Sequence, residues 1–504
     1  MTKNKTDARA LKVAKQLHNA GNWKHLARWN GEGYFTLKTE DIADHIPVRL
    51  FLTPSLLDQT EDIIYRQIVN ATRFPGVKLV AITPDTHYGY GVPVGCVILT
   101  DAATGAVAMG PVGYDIGCGM VSAKSDVPAD AATPAKRMAF NRAVMSKVDM
   151  GAGGKSIKLG TVDRREFDNL IHGGAEYYVE KYGATFDRSR AERHRMPVDD
   201  DWQPLMGGKG RPERGMSQLG SLGGGNHFIE LQRAEETGTM FVQAHTGSRG
   251  WGHGLATNYF EMARAEKPEV ITDIDLGYFT PESEHYRDYL NAVASGGNFA
   301  IINRLIIFEQ VAEAFREVFG GELELIYEIS HNLVQREQHP EFGDVWVHRK
   351  GATRAFPAGH PALEGTMWQE CGHPVLIPGS NKDWSYILRP APGASNSGYS
   401  VNHGAGRRMS RSEAGRTLNQ RKIDDEYAAA GILVNTDGRV PLDEAAQCYK
   451  SSEDVIAAVV GAGLATVEYK LWPLASLKGT DSGKGRRNKE RDKEKSSRRS
   501  PKHY

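Results

Sequence analysis

One local pattern constrains this chain more than any other: an apolar stretch meets a histidine or an acid, at all but His331 with glycine within two residues. It recurs at five places, as Asp115 and Cys118 in GYDIGCGM, Asn226 and His227 in GGGNHFIE, His245 in AHTGSRG, His331 in ISHN, and His403 in NHGAGR. Glycine beside a polar residue removes the side-chain obstacle to a ligand's approach, and a strand end fixes the direction in which an imidazole points. A lone histidine of this kind is more often a hydrogen-bonded core residue than a ligand. Repetition argues for one shared site, so the fold must bring strand ends from distant parts of the chain together.

The rest of the sequence fits that demand. VKLVAITPD and PVGCVILT, within about 78–125, read as strands rich in β-branched residues and broken by glycine-dense turns. FVQAHTG and LELIYEISHN are apolar strands that end in histidine, and NFAIINRLIIFEQVAEAFREVF between them has the 3.6 period of a buried helix. The segment 135–215 is charged and helix-like, and residues 8–30 place Leu11, Ala14 and Leu17 at helical spacing. Strands and helices alternate irregularly, which predicts an α+β architecture, sheets flanked by helices, rather than a doubly wound sheet. Three segments follow: a helical N-terminal extension over 1–44, a main body over 45–479, and a basic tail over 480–504 expected to be disordered.

Lysine plus arginine balances aspartate plus glutamate at 62 each, so overall charge argues for no particular partner. The four cysteines, Cys96, Cys118, Cys371 and Cys448, form no CxxC pair, and a reducing compartment suits them better than a disulfide framework. The N-terminus lacks an apolar signal core, and no stretch is long and apolar enough to span a membrane. A cytoplasmic protein without a membrane partner is expected.

Cys118 follows Asp115 by three residues, so a tight turn can aim a thiolate and a carboxylate at one point. With several imidazoles they make a competent transition-metal shell, for which ligand softness alone favours zinc over manganese. The plain alternative is a small buried cysteine. LGSLGGGNHF and HGAGR can present consecutive backbone N–H groups to an anion. Neither is a Walker loop or a dinucleotide fingerprint. Arg249, His348, Arg349, Lys350 and Arg407 would suit phosphate recognition.

Eight motifs, PDTHYGYGVPVG, GYDIGCGM, LGGGNHFIE, HTGSRG, SHN, VHRKGATRAFPAGH, IPGS and HGAGRRMSR, stand in the order found in RtcB-type RNA ligases; the chain resembles that family over about 45–479. The resemblance implies an RtcB-like mixed fold around a central metal and nucleotide cleft. It also implies a GTP- and manganese-dependent enzyme for RNA repair or tRNA splicing. Its substrates would be an RNA 3′-phosphate or 2′,3′-cyclic phosphate and a 5′-hydroxyl, with an archease-like activator as a further partner of some relatives. It places metal ligands at Asp115, Cys118, His227, His245 and His331, with Cys118 bridging two ions, and the guanylylated histidine at His403. GTP contacts fall on Asn226, His227, Phe228, Ile229 and Glu230, on His331 and Asn332, and on Pro378, Gly379, Ser380, Asn381 and Ser385. Others fall on His403, Gly404, Ala405 and Gly406, on Tyr449 as a guanine-stacking ring, and on Lys478. Asn381, Lys382, Asp383 and Trp384 depart from the methionine and small residues that relatives commonly carry after PGS, and EAAQCYK lacks a proline that relatives often have.

On this reading a neutral His403 attacks the α-phosphate of GTP, Asp85 in PDTH holds its tautomer, and the RNA 3′-phosphate takes the GMP before the 5′-hydroxyl displaces it. A simple turn aspartate is the competing role for Asp85. The functional rivals are a metallohydrolase that needs no histidine nucleophile, and a non-catalytic RNA-binding factor, which would have lost metal ligands.

Overall fold

The apolar stretches assemble into two large sheets, and one of the chain's crossings between them is made by a single histidine. The structure, a computed structural model, describes residues 17–184, 186–191 and 195–479. The first sheet has seven strands in the order Ala27–Trp29, Phe35–Leu37, Val48–Leu50, Val77–His87, Val94–Asp101, Gly343–Lys350 and Asn332–His339. Val48–Leu50 runs parallel to Val77–His87, and the other pairings are antiparallel. The second sheet has eight strands. Its path runs Glu324–Ser330, Gly119–Pro128, Thr239–Thr246, Phe228–Ala234, Ala465–Lys478, Ser385–Pro390 and Val375–Ile377, with Leu433–Val434 paired parallel to Ala465–Lys478.

Glu324–Ser330 belongs to the second sheet and Asn332–His339 to the first, so His331 alone joins them. The register of the second sheet then sets what lies at its end. Gly119 pairs with both Thr246 and Ser330, and Phe228 pairs with His245. Residues next to these positions, Cys118, His227 and His331, therefore gather beside His245, as the sequence pattern demanded.

The helix Tyr286–Phe319 is 34 residues long. From Ser295 to Ile307 every residue is buried, so its centre is largely apolar, and the polar side chains Asn298, Asn303 and Arg304 that it carries are hydrogen-bonded to neighbouring segments. It packs against the helices Pro134–Lys147, Arg164–Tyr182 and Arg249–Glu266 and against the second sheet. Strands and helices thus form the expected α+β fold. No helix among the described residues is long and apolar enough to cross a membrane.

Two sequence expectations change. The helix expected over 8–30 falls partly outside the described residues; within them only Trp23–Leu26 is helical, and Ala27–Trp29 and Phe35–Leu37 are strands of the first sheet. Phe35 pairs with Leu50, so backbone hydrogen bonding with the main body outweighs local helical spacing here. The basic tail lies outside the described residues. Arg349 and His348 are also not available to phosphate. The Arg349 guanidinium is buried against Glu337 at 2.6 Å and Ser400 at 2.9 Å, and His348 Nε2 accepts from the Ala108 N–H at 3.0 Å.

Removing one partner of a buried ion pair leaves the other charge desolvated and costs about 3–5 kcal/mol. Glu337→Ala should lower the thermal midpoint by several degrees, and Glu337→Gln, which keeps an acceptor for Arg349, by less. An unchanged midpoint in Glu337→Ala would contradict a structural role for the pair.

Candidate active site

Two groups of potential ligands share one sulfur. Cys118, His245 and His331 form one triad and Asp115, Cys118 and His227 the other, with all donor atoms of each within 4.8 Å of one another. Cys118 Sγ lies 3.2 Å from His245 Nε2 and 3.6 Å from His227 Nε2. His227 Nε2 is 3.1 Å from Asp115 Oδ2, and His245 Nε2 is 3.2 Å from His331 Nε2. The turn expected between Asp115 and Cys118 is present, closed by the Cys118 N–H donating to the Asp115 carbonyl at 3.1 Å.

Backbone carbonyls fix the rings. His227 Nδ1 lies 2.9 Å from the Leu222 carbonyl and His245 Nδ1 lies 3.0 Å from the Asn226 carbonyl, which places their protons on Nδ1 and leaves Nε2 free to ligate. Burial keeps His245 and His331 well below the usual histidine range, so both are neutral, the ligating form. Burial, with the Asp115 charge, pushes the Cys118 thiol up. Burial alone would raise Asp115, but the contact with His227, with Arg249, holds it well below the usual carboxylate range. Converging unprotonated nitrogens, a carboxylate and a shared sulfur fit divalent cations.

Arg304, from the buried helix, ties this shell together. Its guanidinium pairs with Glu328 and donates to the carbonyls of Gly117 and Thr246 and, at 2.7 Å, to the Ser330 hydroxyl. Gly117, Thr246 and Ser330 are the chain neighbours of Cys118, His245 and His331.

His403 approaches from the other side, its ring 4.9 Å from that of His331 and nearly perpendicular to it. Asp85 Oδ2 lies 2.6 Å from His403 Nδ1 and accepts from the His403 and Gly404 backbone N–H groups at 3.1 and 3.3 Å, while Thr83 donates to Oδ1 at 2.6 Å. Burial would raise the Asp85 carboxyl, yet the charge and hydrogen bond of His403 lower it. The Asp85 carboxylate 2.6 Å away favours a proton on Nδ1, the tautomer in which the His403 Nε2 lone pair is free. Gly406 (φ +78°) lets the HGAG turn press on Asp85, since a Cβ there would stand 2.0 Å from the Asp85 carbonyl oxygen.

A cavity of about 400 Å³ joins these groups. Of the residues singled out from sequence, Asp115, Cys118, His245 and His331 line it at the ligand cluster, and Asn226, Phe228, Asn332 and His403 through Gly406 line it nearby. Pro378, Gly379, Ser380, Tyr449 and Lys478 complete that set. Ser380 Oγ is buried there without a hydrogen-bond partner, an atom suited to a bound ligand. His227, Ile229, Glu230, Asn381, Ser385 and Asp85 stand behind the wall. Ser385 Oγ accepts from the Gly379 N–H at 3.0 Å, and Asn381 Oδ1 accepts from the Tyr427 hydroxyl, so these two shape the 378–381 loop. Burial raises Glu230 to about 7 despite a hydrogen bond from Gln232.

Sequence reasoning missed three buried groups. Glu444 accepts from Tyr449 and Lys478 and pairs with Arg407 and Arg411, both 3.3 Å away, making it the hub of the pocket wall. Nothing in its local pattern marks it. Lys450 donates to the carbonyls of Pro84 and Thr86, either side of Asp85, at 3.2 and 2.6 Å. Arg304 had a signal, a lone charge inside NFAIINRLIIF, where a cation is buried only if paired.

The family model described as tRNA-splicing ligase RtcB matches residues 67–479. The chain is 34% identical over 465 residues to the tRNA-splicing ligase RtcB of Thermococcus kodakarensis, covering 86% of this chain and 95% of that protein. It is 34% identical over 469 residues to the protein of the same name in Pyrobaculum aerophilum, with the same coverage. It is also 34% identical over 437 residues to the RNA-splicing ligase RtcB of Mycobacterium tuberculosis, covering 82% of this chain and 100% of that one.

A sulfur shared by both triads predicts a particular stoichiometry. In titrations of chelator-stripped protein with a divalent cation, Cys118→Ala should lose both ions, whereas His227→Ala and His331→Ala should each retain one. Equal loss in all three variants, or none, would contradict a sulfur-bridged pair.

Proposed function

The chain belongs to the RtcB family of tRNA-splicing ligases, and from that membership we propose that it joins RNA 3′-phosphate or 2′,3′-cyclic phosphate ends to 5′-hydroxyl ends through a GMP-bearing His403. The observation that carries this is the placing of His403: Nδ1 against buried Asp85, the ring beside His331 of the ligand cluster, and the side chain in the cavity that Tyr449 lines. A structural histidine needs no such arrangement, and a metallohydrolase would use the cluster without it.

His403 Nε2 attacks the α-phosphorus of GTP, a P–N bond forms, and pyrophosphate leaves. Asp85 stabilises the positive charge that grows on the imidazole and keeps its tautomer throughout. The RNA 3′-phosphate oxygen then attacks the same phosphorus, the P–N bond breaks, and His403 returns to its starting form. That leaves an activated RNA-3′-pp-5′-G end, from which the 5′-hydroxyl displaces GMP. A 2′,3′-cyclic phosphate is first opened by water to the 3′-phosphate. Guanylylation thus turns a poor leaving group into a good one.

Asp115, Cys118, His227, His245 and His331 would hold two manganese ions. Bound there, they would supply Lewis-acid neutralisation of phosphate charge. Softness favours zinc for the Cys118 side, and the partly exposed Asp115 gives the second triad a harder oxygen donor. Tyr449, held by Glu444 and with the Arg407 guanidinium 5.1 Å from its ring, would stack on the purine. Lys478, whose ammonium is 3.3 Å from Glu444, and Arg407 supply positive charge to the same wall. The free cysteines suit the cytoplasmic location we assign.

His403→Ala should abolish joining of a cyclic-phosphate end to a 5′-hydroxyl end. The same variant should join RNA supplied with a preformed 3′-pp-5′-G end, because that substrate bypasses the histidine. Asp85→Asn, whose amide favours the His403 tautomer protonated on Nε2, should slow joining of unactivated ends by about 10²-fold or more. Normal joining by His403→Ala would overturn the reading.

A further inference from the structure

The cavity wall carries a second aromatic group that nucleotide binding at Tyr449 does not use. Tyr90 lines the cavity, yet its side chain is 65% exposed, among the most exposed large hydrophobic residues described. The loop that carries it is anything but loose. Lys350, itself buried, donates its ammonium to the carbonyls of Tyr90 and Val92 at 2.6 and 3.1 Å. Buried Gln67 donates to the Gly89 carbonyl and accepts from the Gly89 N–H, and Asn70 donates to the Gly91 carbonyl at 2.9 Å. Gly91 (φ +71°) sits so close to Asp275 that a Cβ would stand 2.6 Å from its carbonyl oxygen. Three buried polar side chains hold the backbone, and none holds the Tyr90 ring.

That ring faces a second one. Tyr114, which also lines the cavity, meets Tyr90 edge to face at 6.3 Å with an interplanar angle of 89°. Tyr114 is itself fixed, stacked on Phe260 at 4.6 Å with its hydroxyl donating to Asp275 at 3.0 Å. Two rings at a right angle, one rigid and one exposed on a rigid loop, make a corner for a flat heteroaromatic group: a face to stack on and an edge to abut. Preorganisation of this kind lowers the ordering cost of binding.

We propose that Tyr90 and Tyr114 form a stacking corner for the nucleobase at an RNA end, holding that end beside His403 and the ligand cluster. The inference rests on the RNA-ligase reading above and adds a base contact to it. Stacking is indifferent to base identity because every base has a π face, so the corner grips the terminal nucleotide without imposing a sequence. Either the 3′-phosphate strand or the 5′-hydroxyl strand supplies that base, and the test separates the two.

The full chain is titrated at fixed salt with short fluorescent RNAs, one ending in 3′-phosphate and one beginning with 5′-hydroxyl, each with its terminal base present or abasic, and binding is read by anisotropy. Wild type should bind the base-bearing form of one probe about tenfold more tightly than its abasic form. Tyr90→Ala should erase that preference, and Tyr90→Phe and Tyr90→Trp, which keep a ring, should retain it. The probe that shows the preference identifies the strand. No base preference on either probe, or an undiminished one in Tyr90→Ala, would overturn the corner. Labelling of His403 by GTP needs no RNA, so failure of that labelling would count against the ligase chemistry and not against this binding result.

Discussion

Arg304 is the interaction on which the site's geometry depends. It is wholly buried, paired with an equally buried Glu328, and spends its remaining donors on the three segments that carry Cys118, His245 and His331. A buried ion pair of this kind is often no more stabilising than apolar packing. What it supplies is position, since the planar guanidinium fixes the spacing of several acceptors at once. The ligands come from sequence positions more than two hundred residues apart, and Arg304 is the point at which their backbones meet.

The two sheets divide the chemistry between them. The second sheet brings Cys118, His227 and His245 to one end through its register, and His331 stands where the chain leaves it for the first. The first sheet contributes Asp85, in the strand Val77–His87, and so sets the orientation of His403. The wall with Glu444, Tyr449 and Lys478 comes from the last part of the chain. His403 on the turn after Ser400–Asn402, the potential ligands gathered by the second sheet, and the wall around Tyr449 share one cavity, so motion of either sheet would change their spacing.

Much of this was legible in the sequence because it is local. Glycine close to histidine at a strand end marks a turn left open by small side chains, and each such turn lies on or beside the cavity. The α+β class followed from mixed periodicities. What was not legible depends on tertiary pairing. Arg349 and His348 look like phosphate binders beside glycine, but their strand turns them into the interior. Ala27–Trp29 and Phe35–Leu37 are strands because the sheet edge offers them hydrogen bonds, which local spacing does not record. Glu444 and Lys450 act through partners far along the chain, so no short pattern could reveal them.

The central claim is that His403 Nε2 carries GMP between GTP and RNA. Intact-mass spectrometry of the protein after incubation with GTP and manganese, followed by peptide mapping, tests this most directly. The account predicts one added GMP, attached to the peptide containing His403 and removed by RNA bearing a 3′-phosphate. An unmodified mass, or GMP on any other residue, would contradict it.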